Sequence, residues 1–429
     1  MAGGFLIAAP QSGSGKTTIT LGLLRALRRA GQPVRSAKAG PDFIDPAFHS
    51  AATGADCVNL DPWAMRPELI LHLANQFDDL LVVEGMMGLF DGGADGRGSA
   101  ADLANLLEMP IVLVVDAAKQ SHSIAALVAG FRGHRSDVTI AGVILNKVGS
   151  QRHEVMLREA LAGIDMPVLG CVLRDARLEQ PSRHLGLVQA REHGDLEGFL
   201  DGAADVVGES VDLAELLKLT RGSTKKVTPI PMPPPGQRIA VARDDAFAFL
   251  YPHLVAGWQR QGAELRFFSP LANQSPDADC DAVYLPGGYP ELHGAKLAQN
   301  QVFKNGLKSA AENGSFVFGE CGGYMVLGES LIDAEGEGHE MANLLPLITS
   351  FEKRRLHLGY RLAKLLQPLP FAAKGSVLTA HEFHYSTVVK QGNCDDLFSA
   401  QDARGDNRGA CGLVRGNVAG SYLHLIDVQ

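Results

Sequence analysis

The sequence is poor in positive charge, and this argues against nucleic acid as the main ligand. Its 429 residues include 39 Lys and Arg against 48 Asp and Glu, which gives a formal net charge of −9. Proteins that bind phosphate backbones usually carry an excess of basic residues. An acidic substrate would therefore need a local basic pocket that works against the overall field of the protein.

Paired cysteines and long apolar runs are also missing. Six cysteines lie at positions 57, 171, 280, 321, 394 and 411, and none forms a Cys-x-x-Cys pair. A chain of this length needs no disulfide scaffold, so we expect a reducing compartment. The N-terminus lacks a basic leader, and no segment reaches the roughly 18–20 apolar residues that span a bilayer. These features predict a cytoplasmic protein without a membrane partner.

A proline-rich segment divides the sequence into two halves. Residues 223–236 contain five prolines and several small polar residues. Such a composition predicts a semi-rigid linker, with a long internal loop as the alternative. We therefore expect one domain over residues 1–222 and a second over residues 237–429, each large enough to bury its own core.

Short apolar runs alternate with amphipathic stretches such as Thr17–Ala30 and Gln151–Ala162 in the first half. Most of the runs are continuously hydrophobic, as expected for strands buried on both faces. The pattern predicts a doubly wound, parallel α/β domain. The second half opens in the same way, and its tail is richer in strands. The predicted strands are Phe5–Ala9, Val34–Ala39, Leu80–Glu84, Ile111–Asp116, Thr139–Asn146, Val168–Val172, Arg238–Ala242, Glu264–Phe268, Ala282–Leu285, Phe316–Gly319, Val377–Ala380, Thr387–Lys390, Cys411–Arg415 and Val418–Tyr422.

A glycine-rich loop follows the first predicted strand and precedes a predicted helix. The segment Pro10–Thr17 fits the phosphate loop of nucleotide-binding proteins, except that Pro10 replaces the first glycine. Its backbone N–H groups and the helix N-terminus favour phosphate, and the lysine adds a point charge. The threonine hydroxyl that follows is placed to ligate Mg²⁺. We predict the nucleotide-binding residues to be Gly13, Gly15, Lys16, Thr17 and Thr18.

Charged residues gather where the next strands of the first half end. Glu84 ends the strand Leu80–Glu84, where an acid can ligate a metal beside the phosphates. Lys38 ends the second strand, and Asp42 and Asp45 follow it in a proline-bracketed loop. Ligands bind along this edge of such sheets. Capping of the turns that follow is the alternative for the acids.

Cys321 lies in a strand–turn–helix segment that is typical of a nucleophile. Glycines flank it in the segment Gly319–Gly323 and relieve the crowding of a sharp turn. A thiol with a pKa of about 8.5 is mostly protonated at neutral pH, so it needs a base. We predict Cys321 to be a nucleophile and the other five cysteines to be structural.

His424 is the predicted base for this thiol. It follows a predicted strand and can reach the strand ends that carry Cys321. A core or surface role is the alternative, because most histidines serve neither as base nor as ligand. The backbone N–H groups of Gly288 and Gly322 are predicted to form the oxyanion hole, since both lie in glycine-rich turns after strands.

Nearly end to end, the chain resembles the cobyrinic and hydrogenobyrinic acid a,c-diamide synthases of cobalamin biosynthesis. Phosphate loops are widespread, whereas the Gly-Pro-Asp and His-Glu-Phe-His blocks discriminate far better. Their co-occurrence makes chance similarity implausible. Besides the phosphate loop, the resemblance rests on the segments Lys38–Pro46, Val83–Gly92, Pro286–Glu291, Gly319–Gly323, Leu358–Arg361 and His381–Ser386.

The resemblance implies a dethiobiotin-synthetase-like ATPase domain followed by a class I glutamine amidotransferase domain of flavodoxin-like fold. Such enzymes phosphorylate a carboxylate of the corrinoid with Mg·ATP. Ammonia released from glutamine then attacks the acyl phosphate, first at one and then at the other of the a- and c-carboxylates. The implied site residues are Lys16 and Thr17 for phosphate and metal, Asp42 and Glu84 for Mg²⁺, Lys38, Asp45 and Asp91 near the reacting carboxylate, and Cys321 with His424 for glutamine.

Two departures refine this expectation. Gln11 occupies the position at which the related partition and septum-site ATPases carry a signature lysine. Ile426 occupies the position, two residues after the histidine, at which many class I amidotransferases carry a glutamate. The first departure weakens a dimeric ATP-switch interpretation. The second favours a Cys–His dyad, which is the arrangement that the resemblance implies for this family.

The polyanionic corrinoid suggests one further hypothesis. The segment Glu352–Arg355 and Arg361 form the densest basic region of the second half, with His381 and His384 nearby in the motif blocks. Arg355, Arg361, His381 and His384 are therefore candidates to bind the spectator carboxylates of the substrate, because guanidinium groups match carboxylates bidentately. A solvated surface stretch is the alternative.

Two other functions stay open at this stage. A cobyric acid synthase amidates other side chains of the same ring with a similar architecture. A regulatory P-loop ATPase with an inactive amidotransferase domain is the second, although the presence of both Cys321 and His424 argues against it. The sequence also leaves open whether the ring holds cobalt, which amide forms first, how ammonia travels and whether the protein is a homodimer.

Overall fold

The computed structural model describes residues 3–179, 189–223 and 225–429, together with the backbone of residues 182–183 and 186–187. It divides into two compact units. Unit 1 comprises Met1–Trp63, Pro67–Gly92 and Gly96–Pro229, and unit 2 comprises Ala64–Arg66, Gly93–Asp95 and Ile230–Gln429. The division after Pro229 falls within the proline-rich segment 223–236, of which Thr224 lies outside the described residues.

A seven-stranded parallel sheet forms the centre of unit 1, in the order β3-β2-β4-β1-β5-β6-β7. Its central strands are apolar on both faces because helices cover both sides. The strands are β1 (Gly4–Ala8), β2 (Val34–Ala39), β3 (Val58–Leu60), β4 (Leu80–Glu84), β5 (Ile111–Asp116), β6 (Ile140–Val148) and β7 (Val168–Leu173), with a small ladder of β8 (Ser182–Arg183) and β9 (Gly186–Leu187). The helices are α1 (Lys16–Arg29), α2 (Asp45–Thr53), α3 (Pro67–Ala74), α4 (Ala100–Leu107), α5 (Ile124–His134), α6 (Gln151–Ala162), α7 (Leu196–Ser210) and α8 (Leu213–Lys218).

The strand order brings the charged residues of unit 1 together. β4 lies between β2 and β1, with Lys38 of β2 opposite Glu84 and Ile7 of β1 also opposite Glu84. The glycine-rich loop leaves the carboxyl end of β1, which is the edge at which β2 and β4 also end. Parallel strands therefore place the lysine, the glutamate and the loop side by side.

Unit 2 contains a ten-stranded mixed sheet, in the order β11-β10-β12-β13-β22-β21-β20-β17-β18-β23. The five strands from β11 to β22 are parallel, and the remaining pairs are antiparallel. A four-stranded sheet, β15-β14-β16-β19, completes the unit. The strands are β10 (Arg238–Ala242), β11 (Glu264–Phe268), β12 (Ala282–Leu285), β13 (Phe316–Glu320), β14 (Ser330–Ile332), β15 (Gly338–Glu340), β16 (Leu347–Ser350), β17 (His357–Leu365), β18 (Val377–His384), β19 (Thr387–Gln391), β20 (Asp395–Asp402), β21 (Asn407–Arg415), β22 (Val418–Ser421) and β23 (Leu423–Val428). The helices are α9 (Pro252–Arg260), α10 (Gly294–Gln299), α11 (Gln301–Glu312) and α12 (Gly322–Leu327).

The prediction of two α/β domains, the second richer in strands towards its end, is confirmed. His424 does follow the predicted strand, which is β22, but it lies inside a further strand, β23, that the prediction missed. The short strands β3, β14, β15 and β16 were also missed. So were β17 and β20, which mix buried with exposed residues and lack a continuous apolar run. None of the helices in the described part of the chain is long and apolar enough to cross a membrane.

Candidate functional site

The glycine-rich loop of unit 1 adopts a conformation that two of its glycines make accessible. Gly13 and Gly15 have φ values of 78° and 85°, in the left-handed region that disfavours other residues. Helix α1 begins at Lys16, directly after Gly15. Lys16 is buried, and its ammonium group donates to the carbonyl oxygen of Met87 at 2.8 Å. Burial lowers the pKa of Lys16, and the nearby Glu84 opposes that effect.

Lys38 lies at the centre of a buried cluster of charges. Its Nζ atom is 2.5 Å from Asp45 Oδ2, 2.8 Å from Glu84 Oε1 and 3.8 Å from Asp42 Oδ2. Burial alone would lower the pKa of Lys38, but Asp45, Glu84 and Asp42 together raise it above its usual range. The lysine is therefore a fixed positive charge, and it offsets the repulsion among three carboxylates.

Thr17 joins this cluster through its hydroxyl. The Oγ1 atom donates to Glu84 Oε1 at 2.7 Å and lies 3.3 Å from Asp45 Oδ2. The predicted residues Thr17, Lys38, Asp45 and Glu84 are thus brought together around one point. Asp42 lies beside them, with its Oδ1 accepting from the backbone N–H of Ile44 at 2.8 Å. Burial, followed by the charge of Asp45, raises the pKa of Asp42 to about 6.

His49 is a member of the cluster that the sequence prediction missed. Its Nε2 atom is 2.7 Å from Glu84 Oε2, and both side chains are fully buried. Burial raises the pKa of Glu84, but the charges of Lys38 and His49 and the hydrogen bonds they donate lower it below its ordinary value. His49 follows Asp45 by one helical turn in α2, and this i, i+4 spacing was the signal that could have identified it.

The fourth predicted acid, Asp91, lies in the loop after β4. Its Oδ2 atom accepts from the backbone N–H of Gly88 at 2.8 Å, next to the Met87 carbonyl that Lys16 contacts. Asp91 is also among the charges that act on Lys16. The loop therefore carries this carboxylate to the same end of the sheet as the phosphate loop.

A cavity of about 340 Å³ adjoins the phosphate loop. Asn146 and Lys147, at the end of β6, were missed by the sequence prediction, and both donate to the loop: to Ser14 O at 2.9 Å and to Gly13 O at 3.0 Å. Asp116 is the ion-pair partner of Lys147 at 2.7 Å. The cavity is lined by Gly15, Thr18, Ile19, Asn146, Lys147, Leu173, Arg174, Asp175, Leu178 and Glu179.

In unit 2, Cys321 occupies a strained turn between β13 and α12. Its φ of 46° and ψ of −103° are rare for a residue with a side chain. Gly323 makes the turn feasible, because a Cβ atom there would lie 2.0 Å from the carbonyl oxygen of Leu285. The backbone N–H of Cys321 donates to Ser421 O at 2.8 Å, at the end of β22. Burial raises the pKa of the Cys321 thiol.

His424 follows Ser421 by three residues and is 1% exposed. The Cε1 edge of its ring faces Gly287, where a Cβ atom would lie only 2.3 Å away. Burial lowers the pKa of His424 to about 3, and the neighbouring His381 and His384 act in the same direction. The ring is therefore neutral at physiological pH, as a base must be.

Gly288 and Gly322, the predicted oxyanion-hole residues, lie against each other. A Cβ atom at Gly322 would be 3.0 Å from the backbone nitrogen of Gly288. Gly288 itself has no room for a side chain, because a Cβ atom there would lie 2.1 Å from Ala246 O. The backbone of Gly288 therefore packs directly against the turn that contains Cys321 and Gly322.

Glu382 changes the charge of the predicted basic cluster. Its Oε2 atom lies 2.6 Å from Arg361 Nη2, and its Oε1 atom lies 3.1 Å from His384 Nε2. Burial, reinforced by Arg361, lowers the pKa of His381 to about 4. Arg361 is thus paired and His381 is neutral, whereas Arg355 is exposed.

Removal of the Lys38 ammonium by Lys38→Met should lower the free energy of unfolding of unit 1 at pH 7. Three carboxylates would lose their cation, and breaking a buried pair in this way costs on the order of 3–5 kcal/mol. Lys147→Met is the control, since its pair with Asp116 is half-exposed and such pairs contribute roughly 0–1 kcal/mol. Pulse-labelling hydrogen exchange of unit 1 peptides in increasing urea would measure both.

The loss of unfolding free energy in Lys38→Met should also depend on pH, and the direction of that dependence can be derived. Without Lys38 the folded-state pKa of Asp42 rises further above about 6, and that of Glu84 rises as well. A carboxyl group whose pKa is higher in the folded state than in the unfolded state stabilises the fold when it is protonated. This stabilisation is fully present below the unfolded-state pKa and is lost as the pH rises through the folded-state pKa. The difference in the free energy of unfolding between the parent protein and Lys38→Met should therefore become smaller as the pH falls from about 7 to about 5. A difference independent of pH would contradict this account.

Comparison with known proteins places both units in one family. Models of the "CobQ/CobB/MinD/ParA nucleotide binding domain" and of the "CobB/CobQ-like glutamine amidotransferase domain" match residues 5–188 and 238–428. A hydrogenobyrinate a,c-diamide synthase of Brucella anthropi is 59% identical over 431 residues, which cover 99% of this chain and 98% of that protein. Those of Rhizobium meliloti and Mesorhizobium japonicum are 57% and 49% identical, over 99% and 98% of each chain. The chain therefore belongs to the hydrogenobyrinate a,c-diamide synthase family of glutamine-hydrolysing, amide-forming ligases.

Proposed function

We propose that this protein converts the a- and c-carboxylates of hydrogenobyrinate into amides, with ATP as the activating co-substrate and glutamine as the nitrogen source. The observation that carries the proposal is the coexistence, in one chain, of the Lys38 cluster beside a phosphate loop and of Cys321 in a nucleophile turn. The first set of residues suits carboxylate activation, and the second suits release of ammonia from an amide. Relatives that match both units along their whole length are named for this reaction.

Unit 1 would bind ATP with its phosphates on the loop of Gly13 and Gly15 and its base in the adjoining cavity, beside Thr18. The oxygen donors of Thr17, Asp42 and Glu84 fit Mg²⁺, which favours a few carboxylates together with phosphate oxygens. Such an ion supplies neutralisation of the phosphate charge when it is bound. Lys16 would add a positive charge at the phosphates.

A carboxylate oxygen is a poor leaving group, so the carboxylate must be activated before ammonia can displace that oxygen. A carboxylate oxygen of the substrate attacks the γ-phosphorus of ATP, the bond to ADP breaks, and an acyl phosphate forms. Ammonia then attacks the carbonyl carbon, phosphate leaves, and a proton is lost to give the amide. Lys38, Asp45 and Asp91 would orient the substrate carboxylate and hold the fixed charge of the site.

Unit 2 would supply the ammonia. The Cys321 proton moves to His424, and the thiolate attacks the side-chain amide carbon of glutamine, whose oxyanion the N–H groups of Gly288 and Gly322 stabilise. The carbon–nitrogen bond breaks, and His424 returns the proton to the departing ammonia. Water then hydrolyses the thioester to glutamate and restores the thiol.

A substrate assay tests the proposal most directly. Purified protein with ATP, Mg²⁺ and glutamine should convert hydrogenobyrinate first to a monoamide and then to a diamide, as followed by product mass. Cobyrinate in a parallel reaction tells whether the ring must be free of cobalt. A substrate that is already amidated at a and c separates this reaction from that of a cobyric acid synthase. No mass change with either unamidated ring would refute the substrate.

Cys321→Ala should abolish amidation with glutamine and preserve amidation with added ammonium chloride, because only the glutaminase step needs the thiol. Cys394→Ala, which removes a thiol outside the nucleophile turn, is the control and should retain both reactions. Lys16→Met should lose amidation with either nitrogen source, since it acts on the shared activation step. Glutamine use by Cys321→Ala would show that the nucleophile is misassigned.

Among the four candidate residues Arg355, Arg361, His381 and His384, Arg355 is exposed, and we propose that it contacts a spectator carboxylate of the corrinoid. Arg355→Ala should raise the KM for the corrinoid by about tenfold, which corresponds to loss of one charge-assisted hydrogen bond. Arg361→Ala should have a smaller effect, because Glu382 already pairs with that guanidinium. Arg415→Ala, an exposed arginine outside this segment, is the control. An unchanged KM in Arg355→Ala would remove Arg355 from the substrate site.

A further inference from the structure

Glu320, the residue before the nucleophile, is a buried acid that the reaction described above leaves without a role. It ends β13 and is 2% exposed. Its Oε2 atom lies 4.0 Å from Nδ1 of His424. At the position two residues after the histidine, the chain has Ile426, whose side chain cannot accept a hydrogen bond. An acid therefore reaches the histidine from the strand that carries the nucleophile.

Two hydrogen bonds fix this carboxyl group. The hydroxyl of Tyr284 donates to Glu320 Oε2 at 2.8 Å, and the backbone N–H of Leu425 donates to Oε1 at 3.3 Å. Leu425 adjoins His424 in β23, so the second bond ties the acid to the strand that carries the base. Burial raises the pKa of Glu320 to about 8, against the effect of both donors, and a positive imidazolium at His424 would lower that pKa again and favour the carboxylate. A buried acid of this kind is costly to keep, and such groups concentrate at functional sites.

We propose that Glu320 is the positioning residue of the glutaminase site, where its carboxylate orients the ring of His424 through Nδ1 and stabilises the imidazolium formed during the reaction. The inference rests on the roles proposed for Cys321 and His424. It replaces the expected two-residue site with a three-residue one, whose acid comes from the nucleophile strand.

In this proposal each nitrogen of the imidazole has its own task. Nδ1 is the nitrogen for which the structure gives a distance to Glu320, so Nε2 would be the nitrogen that takes the proton from the Cys321 thiol and later gives it to the departing ammonia. A buried imidazolium needs a nearby negative charge, and His381 and His384 on β18 act against it. The carboxylate of Glu320 supplies that charge in a region of low dielectric constant. The distance of 4.0 Å exceeds a hydrogen bond, and catalytic contacts of this kind commonly shorten when substrate binds.

Glu320→Gln tests the proposal because it keeps the shape of the side chain and removes its charge. The kcat for glutamine hydrolysis by the full-length protein should fall by on the order of 10²-fold or more, as when the orienting acid of a catalytic triad is removed. The KM for glutamine should stay within about threefold, and amidation with ammonium chloride should be unchanged. Glu320→Asp keeps the charge and should recover at least about tenfold of the lost kcat.

Several results would overturn the proposal. One is a kcat for glutamine hydrolysis in Glu320→Gln that stays within about threefold of the parent value. Another is a kcat in Glu320→Asp that is no higher than the kcat in Glu320→Gln. A parallel loss of ammonia-dependent amidation, or insolubility of both variants, would assign Glu320 to folding alone. Cys321→Ser separates this inference from the function on which it rests. If Cys321→Ser retains glutamine hydrolysis, the proposed site fails; if it loses hydrolysis and Glu320→Gln does not, only the positioning role fails.

Discussion

The ion pairs of the buried Lys38 ammonium group are the interaction on which the charged cluster of unit 1 depends. Three carboxylates converge on it from a loop, a helix and a neighbouring strand. In a buried environment these acids would repel one another or take up protons, and either outcome would disrupt the oxygen ligands that we propose for Mg²⁺. The Lys38 cation therefore keeps Glu84 ionised, and the ionised Glu84 accepts the hydrogen bond from Thr17.

The parallel sheet explains why such a cluster can form from residues distant in sequence. Strands β2, β4 and β1 are neighbours, and their carboxyl ends share one edge. Lys38 and Glu84 then stand opposite each other by register, and the phosphate loop follows the adjacent strand. Unit 2 uses the same rule, because β13 and β22 are parallel neighbours and Cys321 follows β13 directly. Strand order, more than any single contact, decides which chemical groups meet.

The local parts of this arrangement could be predicted from the sequence. The apolar strands, the phosphate loop and the cysteine turn each have a pattern confined to a few residues. The spacing of His49 from Asp45 offered a signal, but its contact with Glu84 comes only from packing, and Glu320 has no such signal because its importance comes from the His424 side chain that it faces. The same applies to Glu382, which pairs with Arg361 across two antiparallel strands, one of which had no recognisable apolar run. Sequence patterns identify elements, whereas charge balance at a site depends on their packing.

The backbone conformation of Cys321 has a consequence for the evolution of such proteins. A positive φ of 46° with a negative ψ costs a side-chain-bearing residue roughly 1–3 kcal/mol. Glycine would avoid most of that strain at the expense of about 0.5–1 kcal/mol of chain entropy. Selection for stability alone would therefore favour glycine at position 321, and the role that we propose for Cys321 in glutamine use would oppose that change. In a lineage that is supplied with free ammonia, Cys321 should be among the first residues of unit 2 to be substituted.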